Sequence, residues 1–133
     1  ELFGTATFRE TPEGLAVEAE VFGAPPGLHG IHIHENGSCG DGGNRAGGHY
    51  NPSGVPHGFL PKDGFEKAHA GDFGNLEVGS DGHGLLTLII PGLSVSDGPH
   101  PVNGKSIILH EQADDFGQPT GNAGGRIACG IIG

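Results

Sequence analysis

From Leu15 to Val21 the chain alternates strictly, with Leu15, Val17, Ala19 and Val21 apolar and Glu18 and Glu20 set between them. A period of two predicts a strand with one face in a core and the other in water. The segment before it behaves alike: Leu2, Ala6 and Phe8 face one way, Phe3, Thr5, Thr7 and Arg9 the other, and Pro12 to Gly14 makes the turn. Further strands are predicted near Leu28 to Glu35, Asp72 to Val78, Gly84 to Ile90, Lys105 to His110 and Arg126 to Ile132. Ser80, Asp81 and Gly82, and then Asn103 and Gly104, offer the positive-φ positions that turns before strands need. No segment carries a helical period, and there is no internal repeat. Two stretches break the alternation. From Glu35 to Gly71 the chain is rich in Gly, Asn, Pro and Lys, and a loop that long inside a compact domain is normally functional or disordered. Cys39, His49, His57, His69 and Asp72 are groups that can tie it down through a disulfide or a metal. The second stretch, Gln112 to Gly125, carries Asp114, Asp115, Pro119 and Asn122.

Composition refines this picture. A chain of 133 residues fits one domain, residues 1–133. Its 28 glycines and 10 prolines make low-complexity disorder the alternative, and the alternation argues against it. With no Met, no Trp and one Tyr, the core must rest on Val, Ile, Leu, Ala and seven Phe. Sixteen acidic residues against six basic ones give a net charge of −10, which repels phosphate backbones and anionic lipid, so nucleic acid is not an expected partner. No apolar run reaches the ~18–20 residues of a transmembrane helix. The start at Glu1, with neither initiator methionine nor signal peptide, is expected of a processed or trimmed product. Cys39 and Cys129 could remain two buried thiols or close one large loop, which would contribute roughly 4–5 kcal/mol and imply an oxidising compartment.

The candidate chemistry is carried by histidine. His32 and His34 lie two apart in GIHIHENGSC, so on a strand both rings share one face while Ile31 and Ile33 take the other. Taken alone the pair fits either metal binding or hydrogen-bonded strand histidines. His49, His57, His69 and Asp72 offer three imidazoles and a carboxylate, a set suited to tetrahedral zinc, although glycine-rich loops also carry solvated polar residues. His110 ends an apolar strand, where its side chain could return toward His32 and His34. These seven groups suffice for one nitrogen-rich site, of the kind copper(II) favours, and one tetrahedral site if one imidazole is shared.

In order and context these residues resemble the copper,zinc superoxide dismutase family over essentially the whole chain. GIHIHENGSC resembles the family's first copper-binding strand, GGHYNP its bridging-histidine segment, HAGDFGNL its zinc segment and GNAGGRIACGIIG its terminal signature. The resemblance implies an all-β, eight-stranded Greek-key sandwich or barrel with long metal-binding and active-site loops. It implies copper on His32, His34, His49 and His110, zinc on His49, His57, His69 and Asp72, and His49 as the bridge. It also implies that Asp114 links a copper-ligand histidine to a zinc-ligand histidine, that Arg126 orients superoxide, and that Cys39 and Cys129 form the intrachain disulfide. The activity implied is dismutation of superoxide to oxygen and hydrogen peroxide, in an extracytoplasmic, periplasmic or secreted protein for which a homodimer is possible. The competing reading is a non-catalytic metal-binding or metal-delivery domain of the same fold. His29, His83 and His100 match no ligand position and are expected to be surface or structural residues. Cys39 follows His34 by five residues, a placement similar to bacterial members of the family. Gln112 stands where the family often has a steering lysine, so the attraction of an anion is expected to come from the metals and Arg126, with Lys62, Lys67 or Lys105 if the fold places them nearby.

Overall fold

The computed structural model describes residues 1–133. Seven strands follow the alternating segments: β1 (Phe3–Thr11), β2 (Gly14–Phe22), β3 (Gly27–His34), β4 (Asp72–Val78), β5 (Gly84–Ile90), β6 (Ser106–His110) and β7 (Arg126–Ile131). Their spatial order is β1-β2-β5-β4-β3-β6-β7, every neighbouring pair antiparallel. The β2–β3 and β5–β6 connections cross to non-adjacent strands, as in Greek keys. Leu15 and Val17 of β2, Ile33 of β3, Phe73 and Leu76 of β4 and Ile90 of β5 are essentially inaccessible to water. Each such side chain contributes about 1.5–3 kcal/mol through burial. Leu2, Ala6 and Phe8 pack against this core while Phe3 is 64% exposed, so β1 has the predicted faces.

The strand count is seven where the resemblance implies eight. An odd number of strictly antiparallel strands leaves the first and last parallel to each other across the gap, and β1 and β7 accordingly share no ladder. The barrel is nearly closed. Its seam is an apolar groove of about 1080 Å³ whose walls include Leu2, Phe8, Ile107, Ile127 and Ile131.

The long loop contains the only helical turns, a one-turn α-helix at Leu60–Asp63 and a 3-10 turn at Asn44–Ala46. The sequence pattern predicted none, because three or four residues are too few to display a helical period. The loop is anchored rather than disordered. It returns beside the end of β3, where Glu35 N–H donates to Gly48 O at 2.9 Å and Tyr50 N–H to Ile33 O at 2.8 Å. A Cys39–Cys129 disulfide fastens its first part to β7. Closing 90 residues of sequence in this way restricts the unfolded chain and stabilises the fold by roughly 4–5 kcal/mol.

Candidate metal centre

Strand parity places the first three histidines. His32 and His34 point off one face of β3, with Ile31 and Ile33 in the core on the other. Ile31 lies opposite Leu109 and His32 opposite Ile108 on β6, so His110, two residues beyond Ile108, falls on the side of His32. A register shift between Leu109 and His110 sets His110 opposite Arg126 and bends the strand end toward the loops. His49 arrives from the long loop through a bridge to His34. One ring nitrogen from each of His32, His34, His49 and His110 falls within 4.8 Å of the others.

The outward nitrogens fix which atoms remain free. His34 Nδ1–H donates to Gly47 O at 2.8 Å and His110 Nδ1–H to Gly124 O at 3.2 Å, which leaves both Nε2 lone pairs facing each other 3.3 Å apart. His32 Nε2–H donates to the Asp114 carboxylate at 2.7 Å, and its buried Nδ1 has no partner. Lone pairs turned toward one another in a buried space repel unless a cation lies between them. Protonation does not supply it at neutral pH: burial and the neighbouring histidines hold His32 down to about 4, and burial holds His34 down to about 3. His49 and His110 are also lowered, chiefly by burial.

The second group is built on Asp72, which opens β4. Asp72 Oδ2 accepts the N–H groups of Gly58 at 2.8 Å and His69 at 2.7 Å, so the carboxylate cannot rotate, and buried Oδ1 is left without a hydrogen bond. Around Oδ1 stand His57 Nδ1 at 2.9 Å, His49 Nδ1 at 3.2 Å and His69 Nδ1 at 3.3 Å, with His49 Nδ1 and His69 Nδ1 3.0 Å apart. Donors about 2.0–2.1 Å from a tetrahedral ion are roughly 3.3 Å from one another, and these separations fit that geometry. The atoms that lie within 4.8 Å of one another here belong to His32, His49, His57 and Asp72; His32 already donates its Nε2–H to Asp114, and His69 Nδ1 stands beside the group, 3.3 Å from Asp72 Oδ1.

Charge agrees with this. Burial opposes ionisation of Asp72, yet His49, His57, His69 and the Gly58 N–H hold it far below the usual carboxylate range. Burial likewise opposes protonation of His57, but Asp114 and then Asp72 outweigh it and raise His57 to about 9. The two carboxylates that favour a proton on His57 also favour a cation beside it.

Asp114 joins the groups. Its Oδ1 accepts from His57 Nε2–H at 2.9 Å and from Phe116 N–H at 2.8 Å, and its Oδ2 accepts from His32. Despite burial, His32, His57 and Phe116 N–H hold its carboxyl below the ordinary range. The second irregular segment reaches this position by crossing Gly30 of β3, where an added Cβ would come within 2.8 Å of the Ala123 methyl and 3.3 Å of Asp114.

Arg126 opens β7 half-buried, with Nη1–H donating to Gly43 O at 2.8 Å, and burial lowers its basicity. Its charge acts on both His34 and His110. Gly43 has φ 88°, a conformation that L side chains rarely adopt, and a Cβ there would meet the arginine stem at ordinary van der Waals range. Of the lysines considered for steering, Lys105 is engaged with Glu35 at 3.2 Å and lies over the Tyr50 ring, while Lys62 and Lys67 are exposed on the long loop. His29 is buried between the carbonyls of Pro25 and His110, His83 pairs with Glu20, and His100 stacks on Phe65, so all three are structural. The pattern of residues did not single out Asn75 or Gln118, whose side chains bond the backbones of Asp114 and His57.

A nearly closed antiparallel β-barrel that carries two adjoining His/Asp donor groups has the makings of a metal-binding protein. The family model described as copper/zinc superoxide dismutase matches residues 2–132, and the chain belongs to that family. It is 41% identical over 140 aligned positions to a Caenorhabditis elegans protein named extracellular superoxide dismutase [Cu-Zn]; the alignment covers 100% of this chain and 62% of that protein. A solved structure titled as that of the clock protein EA4 matches with a TM-score of 0.90 and 38% identity, covering 99% of this chain and 87% of the other.

Proposed function

We propose that this protein dismutates superoxide to oxygen and hydrogen peroxide at a copper and zinc pair, in an extracytoplasmic or secreted setting. The observation that carries the reading is the convergence of two donor groups that share His49, with buried His32 Nδ1, His57 Nδ1 and Asp72 Oδ1 left without a hydrogen bond. His32 Nδ1, His34 Nε2, His49 and His110 Nε2 would hold copper, and Oδ1 of Asp72 with Nδ1 of His49, His57 and His69 would hold zinc. Nitrogen-rich sites favour copper(II), and three imidazoles with one carboxylate favour zinc. The disulfide and the extracellular relative support the location.

Copper held there would supply one-electron redox chemistry for the conversion of two superoxide ions and two protons to oxygen and hydrogen peroxide. The chain's own residues do the rest. With Nδ1 directed to the zinc group, His49 has Nε2 left for the copper side, where that nitrogen can alternately hold and give up a proton. Asp114 keeps the rings of His32 and His57 in the tautomer whose inner nitrogen is free. Arg126, fixed by Gly43 O, presents a cation beside His34 and His110 and so binds and orients a small anion within a molecule of net charge −10. The fold alone does not choose between an enzyme and a metal-binding module of the same architecture. Arg126 favours the enzyme, because metal storage has no need of an anion-binding cation at the copper group.

The test is pulse radiolysis with copper and zinc quantified in the same sample, alongside Arg126→Ala and His110→Ala. Copper-dependent turnover that falls in both variants, with metal retained in Arg126→Ala, is the expected result. Negligible turnover of the fully loaded protein would leave the metal-binding module as the better reading.

A further inference from the structure

Around the metal centre the backbone runs outside the ladders, and three side-chain amides take the place of missing strand partners. Asn51 bonds both the N–H and the C=O of Val55, at 3.1 and 3.0 Å. Asn75 does the same for Asp114, at 2.7 and 3.1 Å. Gln118 does it for His57: its Oε1 accepts the His57 N–H at 3.0 Å and its Nε2–H donates to His57 O at 2.8 Å. Of these three, only Gln118 grips a residue whose own ring reaches the Asp72 group.

The segment that carries Gln118 is braced on both sides. Asp115 Oδ1 accepts from Gly117 N–H at 2.8 Å and from Asn122 Nδ2–H at 3.2 Å, and Asp115 N–H donates to Gly121 O at 2.9 Å. Gly121, with φ 91°, lies so close to Asp114 that a Cβ would strike the carboxylate. Gln118, Pro119 and Thr120 form one wall of a cleft of about 360 Å³ that opens directly onto His49, His57 and His69.

We propose that Gln118 is a positioning residue for zinc. A planar amide bonded to both backbone groups of one residue restricts φ and ψ there, so the His57 ring keeps Nδ1 on the Asp72 group and Nε2 on Asp114 before any ion arrives. Without it, the His57 backbone turns to water and the ion must order the ring as it binds. Gln118 bonds no residue of the copper group directly and reaches it only through His57 and Asp114, so the larger effect falls on zinc. Removing a group that orients a ligand typically lowers affinity about 10–100-fold, and that is the loss expected for zinc.

The inference rests on the zinc assignment proposed above. Its test is chelator competition for zinc on the full chain, compared in the parent protein, Gln118→Ala and Gln118→Glu, with copper affinity measured at saturating zinc and cobalt(II) absorption recorded in the zinc position. Gln118 is exposed, so alanine leaves no buried cavity, and glutamate preserves the acceptor while losing the donor. The expected outcome is a zinc loss of about tenfold or more in Gln118→Ala, a smaller loss in Gln118→Glu, altered cobalt bands and copper affinity within about threefold of the parent. Unchanged zinc affinity in both variants, or equal losses for zinc and copper, would overturn the positioning role while leaving the site intact. Failure of the parent protein to take zinc at this group would overturn the site assignment itself.

Discussion

Replacing Asp114 with asparagine should separate the two metals, and the direction can be worked out from four hydrogen bonds. The carboxylate accepts from three donors: Phe116 N–H at 2.8 Å and His57 Nε2–H at 2.9 Å on Oδ1, and His32 Nε2–H at 2.7 Å on Oδ2, which also lies 3.0 Å from His57 Nε2. Asparagine is nearly isosteric but has one accepting oxygen and one NH2. A backbone N–H cannot change its protonation, so Phe116 dictates that the amide oxygen takes the place of Oδ1. The NH2 then faces His32 Nε2–H, donor against donor, in a space closed to water. His32 can relieve the clash only by moving its proton to Nδ1, the nitrogen whose lone pair is proposed to hold copper, or by swinging away.

Two magnitudes bear on the cost. Leaving a buried donor unsatisfied costs about 1–3 kcal/mol, and loss of an orienting partner lowers metal affinity about 10–100-fold, which corresponds to roughly 1.4–2.7 kcal/mol. Asp114→Asn should therefore weaken copper about 10–100-fold and zinc by less than tenfold, since His57 keeps its acceptor. Equilibrium competition with chelators of known affinity, with circular dichroism to establish folding, measures both. Parent-like copper affinity, or zinc weakened more than copper, would refute the tautomer argument.

Zinc added to the metal-free protein at pH 7.5 should release about one proton from His57, because a ring raised to about 9 is protonated there and zinc requires the free Nδ1. This release should fade as pH passes 9, and copper added after zinc should release a further proton from His49 Nε2 if that ring bridges. Calorimetry in buffers of different ionisation enthalpy counts both steps, and zinc binding with no proton release at pH 7.5 would contradict the charge state given to His57. Cys129→Ser should cost roughly 4–5 kcal/mol in denaturant unfolding. It should also lower turnover per bound copper, since the loop holding Gly43 O against Arg126 loses its tie to β7; turnover per copper equal to the parent's would separate the disulfide from the role proposed for Arg126.

The strands were legible because burying one face of a sheet leaves a mark at every second residue, and all seven alternating segments became strands. The same parity made His32 and His34 readable as a pair, with Ile31 and Ile33 filling the core behind them. The eighth strand came from the resemblance and not from the alternation. What decides the seam is the direction in which β1 and β7 run, and no residue pattern records that. Loop histidines were legible by chemical type, yet their grouping depended on long-range anchors such as Tyr50 N–H on Ile33 O, which any amide could make.

Gln118 marks where reading by residue type stops. A ligand is recognised by its side chain, but a residue that holds another's backbone is recognised only by where it sits, and a glutamine in a loop looks like any other until the backbone it meets is known. The division has a physical origin. Donor atoms must be of a few kinds because the ion selects them, whereas an orienting contact needs only a donor and an acceptor at the right separation. Preorganisation is therefore spread over residues whose identity is weakly constrained, and Asn51, Asn75 and Gln118 show three such solutions around one centre. Asp114→Asn should act chiefly on copper and Gln118→Ala chiefly on zinc. The two substitutions thus test whether the halves of a centre sharing His49 are oriented by separate supports, an arrangement in which one ion can be weakened without the other.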